Sequence, residues 1–563
     1  MWCRVAQVVG AAALLLGLVA CGGGAGGSGS SSSSAGTQAA VADATHGTFL
    51  LDLTGGATRD VTHVWVTVSS VALHPQASQA WSSTDNSWTV VNLATPVVVD
   101  LAAVSTSTHS DMTRVLNGVV MPVGTYAQIR FFLLPHDAAL NSAARSNGQQ
   151  YNAQVDYTDA SNVAHTVPLE LPQTELGWRV AGTFKVSPYA SSHIVAQADI
   201  SSGLARFASL DGIDRFTFRP SLRSYDTANS GAIFGFLDTA FLCGVTNAPT
   251  APHCAQDVIV SAQRMSSDGL RHESVRRYKV GTSGGFALYP LPPDTSFDLV
   301  ITGRHMRPII IKGVTVAPTD ALAIVGWTTV GSTTATIPIQ ALITPGTART
   351  VNVAMAASPA SSLYWGQTVE ASGKPYELAN VAVDPFTGLL AQSIELPEGA
   401  LRVATFVSNN TALNLSDVTP VEGANALSLV ALGTAYDTAG VSSVVTPALN
   451  MASTVTANNP TRSGTLGSAV MQVNLTGTLS TAYDGAQLIV SDINGIVATQ
   501  AVSGSTASFT VPAGTQAAAL GGTAIYTVAV RASSHTGTVI WVRATNVVDL
   551  RSSAGATLSL ALP

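Results

Sequence analysis

Apolar and polar residues alternate in steps of two along much of this chain. Val64, Val66 and Val68 share one face of a predicted strand, and the residues between them share the other. Short stretches with this period, bounded by Gly, Pro, Asn and Asp, are typical of half-buried β-strands. The same pattern recurs at 129–133, 216–219, 526–531 and 558–562. The pattern predicts an all-β protein.

The first 21 residues have a different pattern, which predicts a signal peptide over 1–20. Arg4 supplies a positive charge, and the apolar run Val8–Leu18 is too short to span a bilayer as a helix. The run ends in Leu-Val-Ala-Cys21, which resembles the bacterial lipobox. This resemblance implies that Cys21 is lipidated and becomes the first residue of the mature chain. Its acyl chains would make the lipid bilayer the first predicted partner.

Residues 21–44 are predicted to form a flexible tether. Residues 22–40 are almost entirely Gly, Ser and Ala and contain no charged or aromatic residue, so they cannot bury enough apolar surface to fold. The segment before the first strand has a reach of about 25–30 Å. Position 22 is Gly and not Asp, the residue known to retain lipoproteins in the inner membrane. The sequence therefore favours the outer membrane and leaves open which face the protein occupies.

The remaining chain divides into predicted β units. The last two share a weak echo, Asp-Pro-Phe-Thr-Gly388 and Asp-Ile-Asn-Gly495, each followed by a Pro-x-Gly turn. Common turn chemistry explains this echo as well as duplication does. The predicted boundaries are 45–226, 230–325, 326–455 and 462–563.

The first unit resembles a domain family of unknown function found in bacterial lipoproteins. The likeness rests on the strand with Trp65, the hairpin with Trp88, the Pro122-x-Gly-x-Tyr-x-x-Ile-Arg130 strand and the closing strand 216–220. It covers about a third of the chain. The family has no established activity, so the resemblance implies no catalytic residue.

The second unit resembles the carboxypeptidase-regulatory-like domain, a small transthyretin-like β-sandwich. The residues that carry the likeness are 231–235, 258–262, 284–288 and the Leu-Pro-Pro-Asp294 turn before Phe297. The usual Asp-Gly before the Phe is Gly-Gly285 here. The resemblance implies a role in stability, spacing or binding. Together the patterns predict serial β-sandwich domains of immunoglobulin-like or transthyretin-like type.

Charge is sparse and excludes one class of partner. Only 10% of the 563 residues are charged and the net charge is −7, so the electrostatic basis of nucleic-acid binding is missing. The densest basic patch is Arg271, Arg276, Arg277 and Lys279, with Glu273 within it. The sequence favours a solvated strand face for this patch over a site for an anionic polymer.

The cysteines predict one disulfide. Cys3 is removed with the signal peptide and Cys21 carries lipid, which leaves Cys243 and Cys254 in an oxidising compartment. His253 beside them invites a metal site, but a fourth ligand is missing. The sequence predicts no metal site.

Catalytic motifs are weak throughout. Gly281–Gly285 fits Gly-x-Ser-x-Gly, but a nucleophile elbow needs a strand-to-helix turn, and here a hairpin between 278–280 and 286–288 is predicted. The histidines lack ligand spacing, and the acid pairs Glu395/Glu398 and Asp211/Asp214 flank turns. The prediction is that there are no catalytic residues and no cofactor.

Two aromatic pairs are the candidate ligand contacts. Trp81 and Trp88 bracket a turn, and Tyr364 and Trp365 precede Gly366. Exposed rings stack on sugars or form protein hot spots, but packing in a hairpin is the commoner use of such pairs.

The functional prediction is a non-enzymatic, membrane-anchored lipoprotein that acts as a cell-envelope binding, adhesive or structural module. Its partners would be a glycan or an envelope or surface protein. Two alternatives stay open: a hydrolase whose site is assembled from residues distant in sequence, and a periplasm-facing scaffold for an envelope complex.

Overall fold

The structure is a computed structural model that describes part of the chain from residue 42 to the C-terminus. The predicted signal peptide, Cys21 and most of the tether lie outside the described residues. The described ranges are 42–59, 61–103, 111–159, 161–209, 211–237, 239, 242–244, 254–318, 337–339, 348–354, 361–388, 390, 392–397, 400–407, 413–423, 426–433, 443–445, 452–454, 467–514, 524–553 and 555–563.

Almost all regular structure in these ranges is β-strand, which confirms the all-β prediction. Strand burial follows the alternation in the sequence, as in the first strand, where Phe49, Leu51 and Leu53 are fully buried. The strands form several separate sheets, consistent with serial sandwiches. No helix in the described ranges is long and apolar enough to cross a membrane.

Within the described ranges, the first sandwich contains twelve strands and two single-turn helices. The strands are β1 His46–Thr54, β2 His63–His74, β3 Thr89–Asp100, β4 Met112–Pro122, β5 Gly124–Leu133, β6 Ala153–Thr158, β7 Ala164–Glu170, β8 Trp178–Val186, β9 Ser191–Ala198, β10 Leu204–Phe207, β11 Arg215–Phe218 and β12 Leu222–Asp226. The helices are α1 Ser142–Ser146 and α2 Ile200–Gly203.

Two sheets enclose the core of this sandwich. One has the order β12-β9-β1-β4, and the other has the order β10-β11-β7-β6-β2-β5-β8, with β3 paired to β2. Phe49, Val66, Ile129, Trp178 and Phe218 are among the side chains buried between them. Burial of such large apolar side chains from both sheets is the main stabilising contribution.

A second group of strands follows a 3₁₀-helix at Thr227–Asn229. It comprises β13 Gly231–Leu237, β14 Gln256–Met265, β15 His272–Lys279, β16 Gly285–Leu291, β17 Ser296–Arg304, β18 Ile309–Thr315, β19 Ala317–Pro318 and β20 Ile337–Ile339. One sheet has the order β16-β13-β19, with β20 on β13. The facing core includes Val260, Phe286, Leu299 and Ile311.

The next group shares a sheet with the second. It comprises β21 Ala348–Ala354, β22 Ser361–Gln367, β23 Tyr376–Ala382, β24 Gln392–Pro397, β25 Leu401–Thr405, β26 Ser416–Val418, β27 Leu427–Gly433, β28 Ser443–Val445 and β29 Ala452–Thr454. β25 pairs in parallel with β18, so one sheet runs β15-β14-β17-β18-β25-β26. The others are β24-β21-β29 and β23-β22-β27-β28.

The C-terminal sandwich is formed by the last eight strands. They are β30 Gly467–Thr476, β31 Gly485–Asp492, β32 Gly495–Ala501, β33 Thr506–Ala513, β34 Ile525–Ser533, β35 Val539–Arg543, β36 Val548–Asp549 and β37 Gly555–Ala561. One sheet has the order β33-β30-β37, and the other has the order β32-β31-β34-β35, with β36 on β34. Met471, Val490, Tyr526 and Val530 are buried between them.

The sandwiches pack on one another through mixed apolar and charged contacts. One small apolar cluster contains Phe207 from the first sandwich, Phe386 from the third group and Trp541 from the C-terminal sandwich. The rings of Phe207 and Phe386 are 4.6 Å apart. The junctions between sandwiches therefore contain buried side chains, and the candidate site lies there.

Candidate functional site

The structure brings Trp81 and Trp88 together but uses them largely for packing. Their rings meet edge to face at 5.1 Å, and Trp81 also contacts the ring of Phe132 at 4.5 Å. Trp88 is buried beneath the Arg130 guanidinium, which lies 5.3 Å from its ring centre. Trp81 is half-buried, so it keeps part of its surface for a contact outside the chain.

Tyr364 and Trp365 are fully buried in β22, where their ring faces contact protein. The Tyr364 hydroxyl donates to the carbonyls of His272 and Pro375, at 3.0 and 2.7 Å, which ties β22 to the start of β15. Trp365 belongs to the apolar core of the third group. Their burial favours the packing interpretation that the sequence left open, because neither ring is exposed to stack on a ligand.

Cys243 and Cys254 form the predicted disulfide, with their Cα atoms 5.0 Å apart. His253 lies outside the described residues. No group of three or more potential metal ligands is found among the residues that the structure describes.

The Gly281–Gly285 segment is not the hairpin expected from the sequence. It joins β15 to β16, which belong to different sheets of the second sandwich, so it crosses from one layer to the other. Gly284 has φ +73°, and a Cβ there would lie 2.4 Å from the carbonyl oxygen of Leu237. A glycine is required here by backbone conformation and close approach, and no helix follows Ser283 to form an oxyanion hole.

One serine–histidine contact in the first sandwich has the distance of a catalytic pair, but its hydrogen bond runs in the wrong direction. His74 Nε2 is 2.9 Å from Ser87 Oγ, and the Ser87 hydroxyl donates to Asp85 at 2.5 Å. Because the serine proton is directed at Asp85, Nε2 is the donor to the serine oxygen, and Nδ1 faces the backbone N–H and the carbonyl of Gln76 at 2.9 and 3.2 Å. The imidazole has no lone pair directed at the hydroxyl and cannot act as its base in this arrangement.

The basic patch on β15 is not a solvated face, which corrects the expectation from the sequence. Arg276 is buried, and its guanidinium donates to the carbonyl of Gly55 at 2.8 Å and pairs with Asp111, both in the first sandwich. The neighbouring Arg277 is also largely buried. Two of the four basic residues therefore lie between sandwiches, whereas Arg271 and Lys279 pair with Asp268 and Asp257 within the second group.

Arg277 connects three parts of the chain. It donates to Asp199 at 3.0 Å in the first sandwich and pairs with Glu377 on β23 of the third group. Burial alone would lower the pKa of Arg277, but Glu377 and Asp199 outweigh it and raise the pKa. Burial would raise the pKa of Asp199, yet Arg277 and Ser202 lower it to about 2. Both groups are therefore charged at neutral pH.

A second charged junction joins the first sandwich to the C-terminal one. Glu170, the last residue of β7, is completely buried and receives both Nε and Nη2 of Arg531, at 2.6 and 2.9 Å. The indole Nε1 of Trp541 donates to the same carboxylate at 2.9 Å. Burial would raise the pKa of Glu170, but the charge and hydrogen bond of Arg531 outweigh it and lower the pKa.

The aromatic rings packed on Arg531 come from the first sandwich and from the third group of strands. Its guanidinium lies 5.3 Å from the ring centre of Phe207 and 5.0 Å from that of Phe386. Cation–π contacts of desolvated arginines contribute about 2 kcal/mol. We call Glu170, Arg531, Trp541, Phe207 and Phe386 the Glu170 junction.

Two further groups flank the Glu170 junction. Arg543 pairs with Asp137 at 2.9 Å and with Glu175 at 3.3 Å. His136 is buried, and neither of its ring nitrogens has a hydrogen-bond partner among the described residues. Burial lowers the pKa of His136, against the opposing charges of Glu170 and Asp137.

This geometry suits rigid assembly better than acid–base chemistry. The Glu170 carboxylate is ionised, completely buried and already accepts three hydrogen bonds, so a substrate proton does not reach it in this arrangement. A cleft beside the junction, lined by Pro172, Phe218, Val383 and Gly495 among others, has room for about one water molecule. The site can fix the relative orientation of sandwiches.

Sequence reasoning missed the Glu170 junction, although a signal was present. Glu170 interrupts the apolar stretch Val167–Leu171, and Arg531 ends the alternating run at 526–531. A lone charge at an apolar position of a strand indicates a buried partner. The partner itself could not be identified, because the two residues are 361 positions apart.

Residues 46–220 match a known domain family. It is described as Domain of unknown function (DUF4382). The match covers the first sandwich from β1 to β11 and so includes Glu170, Asp111 and Asp199, the first-sandwich partners in both charged junctions. The comparison with curated proteins finds no match.

Among solved structures, the chain is similar to one titled "The Bacillus anthracis TIE protein". The identity is 8%, with 92% of this chain and 73% of the other covered, and the TM-score is 0.15. A likeness this weak carries no argument about fold or function.

Proposed function

We propose that this chain is an outer-membrane lipoprotein that acts, without catalysing a reaction, as a rigid cell-envelope module for binding, adhesion or structural support. The observation that carries the proposal is the pair of buried charged junctions that join the DUF4382-matching sandwich to the sandwiches after it. A spacer or display module needs fixed domain orientation, and ordinary interdomain contacts allow hinge motion unless they are extensive.

The buried ion pairs supply that fixed orientation by a simple mechanism. Opening the Glu170 junction would separate a buried carboxylate from its guanidinium, and an uncompensated buried charge costs several kcal/mol. The same applies to Arg277 between Asp199 and Glu377. Domain reorientation is thus penalised at two separate places in the body.

The lipid anchor is supported by the sequence at Cys21 and by the Gly/Ser-rich segment after it. Two or more acyl chains hold a protein on a membrane stably. We also propose that the second sandwich is carboxypeptidase-regulatory-like, supported by its two facing sheets and its 284–297 motif.

The first experiment tests the anchor. We expect mass spectrometry of the mature N-terminal peptide to show acyl chains on Cys21, and Cys21→Ala to abolish them and release the protein from the membrane fraction. Cys3→Ala is the matched control, because it changes a cysteine upstream of the cleavage site and should leave acylation intact. Unchanged membrane retention of Cys21→Ala would contradict the proposal.

A second experiment separates the alternatives. Protease shaving of intact cells should release peptides from 45–563 if the module is displayed on the surface. Protection until the outer membrane is opened would favour the periplasm-facing scaffold. Turnover in a broad hydrolase screen, lost on substitution of a described polar residue, would overturn the non-enzymatic proposal.

A further inference from the structure

The end of the first sandwich where the chain enters carries an unusual exposed aromatic residue. Tyr189 is 72% exposed and has φ +57°, a conformation that bulky residues rarely adopt and that Gly or Asn normally fills. Neither packing nor backbone preference explains a tyrosine at this position. Strained positions of this kind concentrate at functional sites.

The loop that carries Tyr189 is held firmly against the first described residues. The Tyr189 N–H donates to the carbonyls of Asp43 and His46, at 3.2 and 3.3 Å. The loop also closes over Gly47, where a Cβ would lie 2.3 Å from the carbonyl oxygen of Ser187. The ring is therefore presented on a fixed backbone.

A second exposed apolar loop lies beside it. Val123 is 40% exposed, and its N–H donates to the carbonyl of Thr45 at 2.9 Å. Gly124 is the register partner of Val186, which places this β4–β5 turn next to the Tyr189 loop. Both loops also expose a proline, Pro122 and Pro188. We call 43–47, 122–124 and 187–190 the tether-side tip.

We propose that the tether-side tip contacts the lipid headgroup region of the bilayer that anchors the chain. The inference rests on the proposed function, since the lipid on Cys21 would hold the bilayer within reach. The chain joins the tip directly at residue 42, and the segment back to Cys21 has a reach of about 25–30 Å. Tyrosine suits an interface because its ring is apolar and its hydroxyl stays hydrated.

The charges at the tip are balanced, so the contact does not depend on anionic lipid. Lys185, near the end of β8, is exposed beside the tip, and Asp43 is an exposed acid on the tip. Hydrogen bonds from Thr45 and His46 lower the pKa of Asp43 to about 2, so it is ionised. We expect contact with neutral phosphatidylcholine as well as with anionic lipid.

The test is site-specific quenching on the full lipidated chain in phosphatidylcholine vesicles. With Cys21 acylated and Cys243–Cys254 oxidised, Tyr189→Cys supplies a single thiol for a fluorescent label. Val163→Cys is the matched control, because Val163 is 50% exposed in the turn between β6 and β7. In the strand registers, the first residue of β2, His63, lies opposite Asp156 near the β6–β7 turn. The last residue, His74, lies opposite Gln128 near the tip. The two ends of β2 therefore place the β6–β7 turn and the tip at opposite ends of the sandwich.

We expect nitroxide-labelled lipid to quench the label at 189 several-fold more than the label at 163. Val123→Cys at the tip should behave like Tyr189→Cys and replaces it if that variant unfolds below the temperature of the wild type. Equal quenching at 189, 123 and 163 on an acylated chain would overturn the membrane contact and leave the lipoprotein proposal standing. A chain that carries no acyl groups by mass would overturn the proposed function, and this inference with it.

Discussion

Glu170 and Arg531 are 361 residues apart in the chain and form a two-point ion pair in which the carboxylate has no exposed surface. The pair joins the end of β7 to the C-terminal part of β34, and so the DUF4382-matching sandwich to the C-terminal one. A bidentate arginine–carboxylate pair fixes both distance and angle. This contact is the clearest reason to expect the body to behave as one rigid piece.

Arg531→Met should destabilise the protein by about 3–5 kcal/mol, because it leaves the Glu170 carboxylate buried without its cation. The double variant Glu170→Gln/Arg531→Met should recover much of the loss. Chemical unfolding measures both. The control is Arg551→Met at the more exposed Asp549–Arg551 pair, for which about 1 kcal/mol or less is expected. Equal stability of Arg531→Met and wild type would contradict a structural role for the pair.

Acid should weaken the Arg277 junction through Asp199. The native pKa of this carboxyl is about 2 against an ordinary 3.8, so its stabilisation is complete above about pH 3.8 and is lost as the pH falls toward 2. By linkage the contribution is about 2 kcal/mol. Asp199→Asn should be less stable than wild type at pH 7, and the difference should shrink between pH 4 and 2. A difference that stays constant over this range would exclude Asp199 as its source.

His136 should make the protein less stable at mildly acidic pH. Its pKa is lowered by burial, so the unfolded chain binds the proton more tightly than the folded one, and stability falls as the pH drops below 6.5. Between pH 7 and pH 5, the unfolding temperature of the His136→Leu variant should fall less than that of the wild type. It should still fall somewhat, because burial also lowers the pKa of His272. An identical pH profile would show that His136 is not a source of the effect.

Removing the Cys243–Cys254 disulfide should destabilise the second sandwich by about 3 kcal/mol. The bond joins residues 11 positions apart, and the chain-entropy treatment gives this value for so short a loop. Denaturant unfolding of Cys243→Ala/Cys254→Ala should match that of the wild type in reductant. Reductant should leave the double variant unchanged, and any further loss would point to another oxidised pair.

Trp365→Ala should lower stability by about 3–5 kcal/mol, because the indole is fully buried in the third core. Trp81→Ala should lower stability by less, since Trp81 is only half-buried. Thermal unfolding of the two variants and the wild type measures the difference. A Trp365→Ala variant with wild-type stability would contradict the packing role and return this residue to the candidate ligand contacts.

Local patterns predicted much of the architecture. The alternation at 64–68 became the buried face of β2, and the all-β class followed from repeats of that pattern. The Cys243–Cys254 pairing followed from counting the cysteines and from the predicted oxidising compartment. The hairpin predicted at Gly281–Gly285 was wrong, because the sequence could not show that β15 and β16 lie in different sheets.

What the sequence determined by itself is local: strand periodicity, turn residues, the disulfide pair and the predicted lipid attachment at Cys21. Each depends on residues a few positions apart or on simple counting. Only the tertiary structure decided where the charges of β15 go and what Glu170 contacts. The side chain of an arginine on a strand can be hydrated at the surface or paired with a carboxylate that is distant in the sequence. The choice depends on how separate sheets pack, and that packing leaves no periodic signal in the sequence.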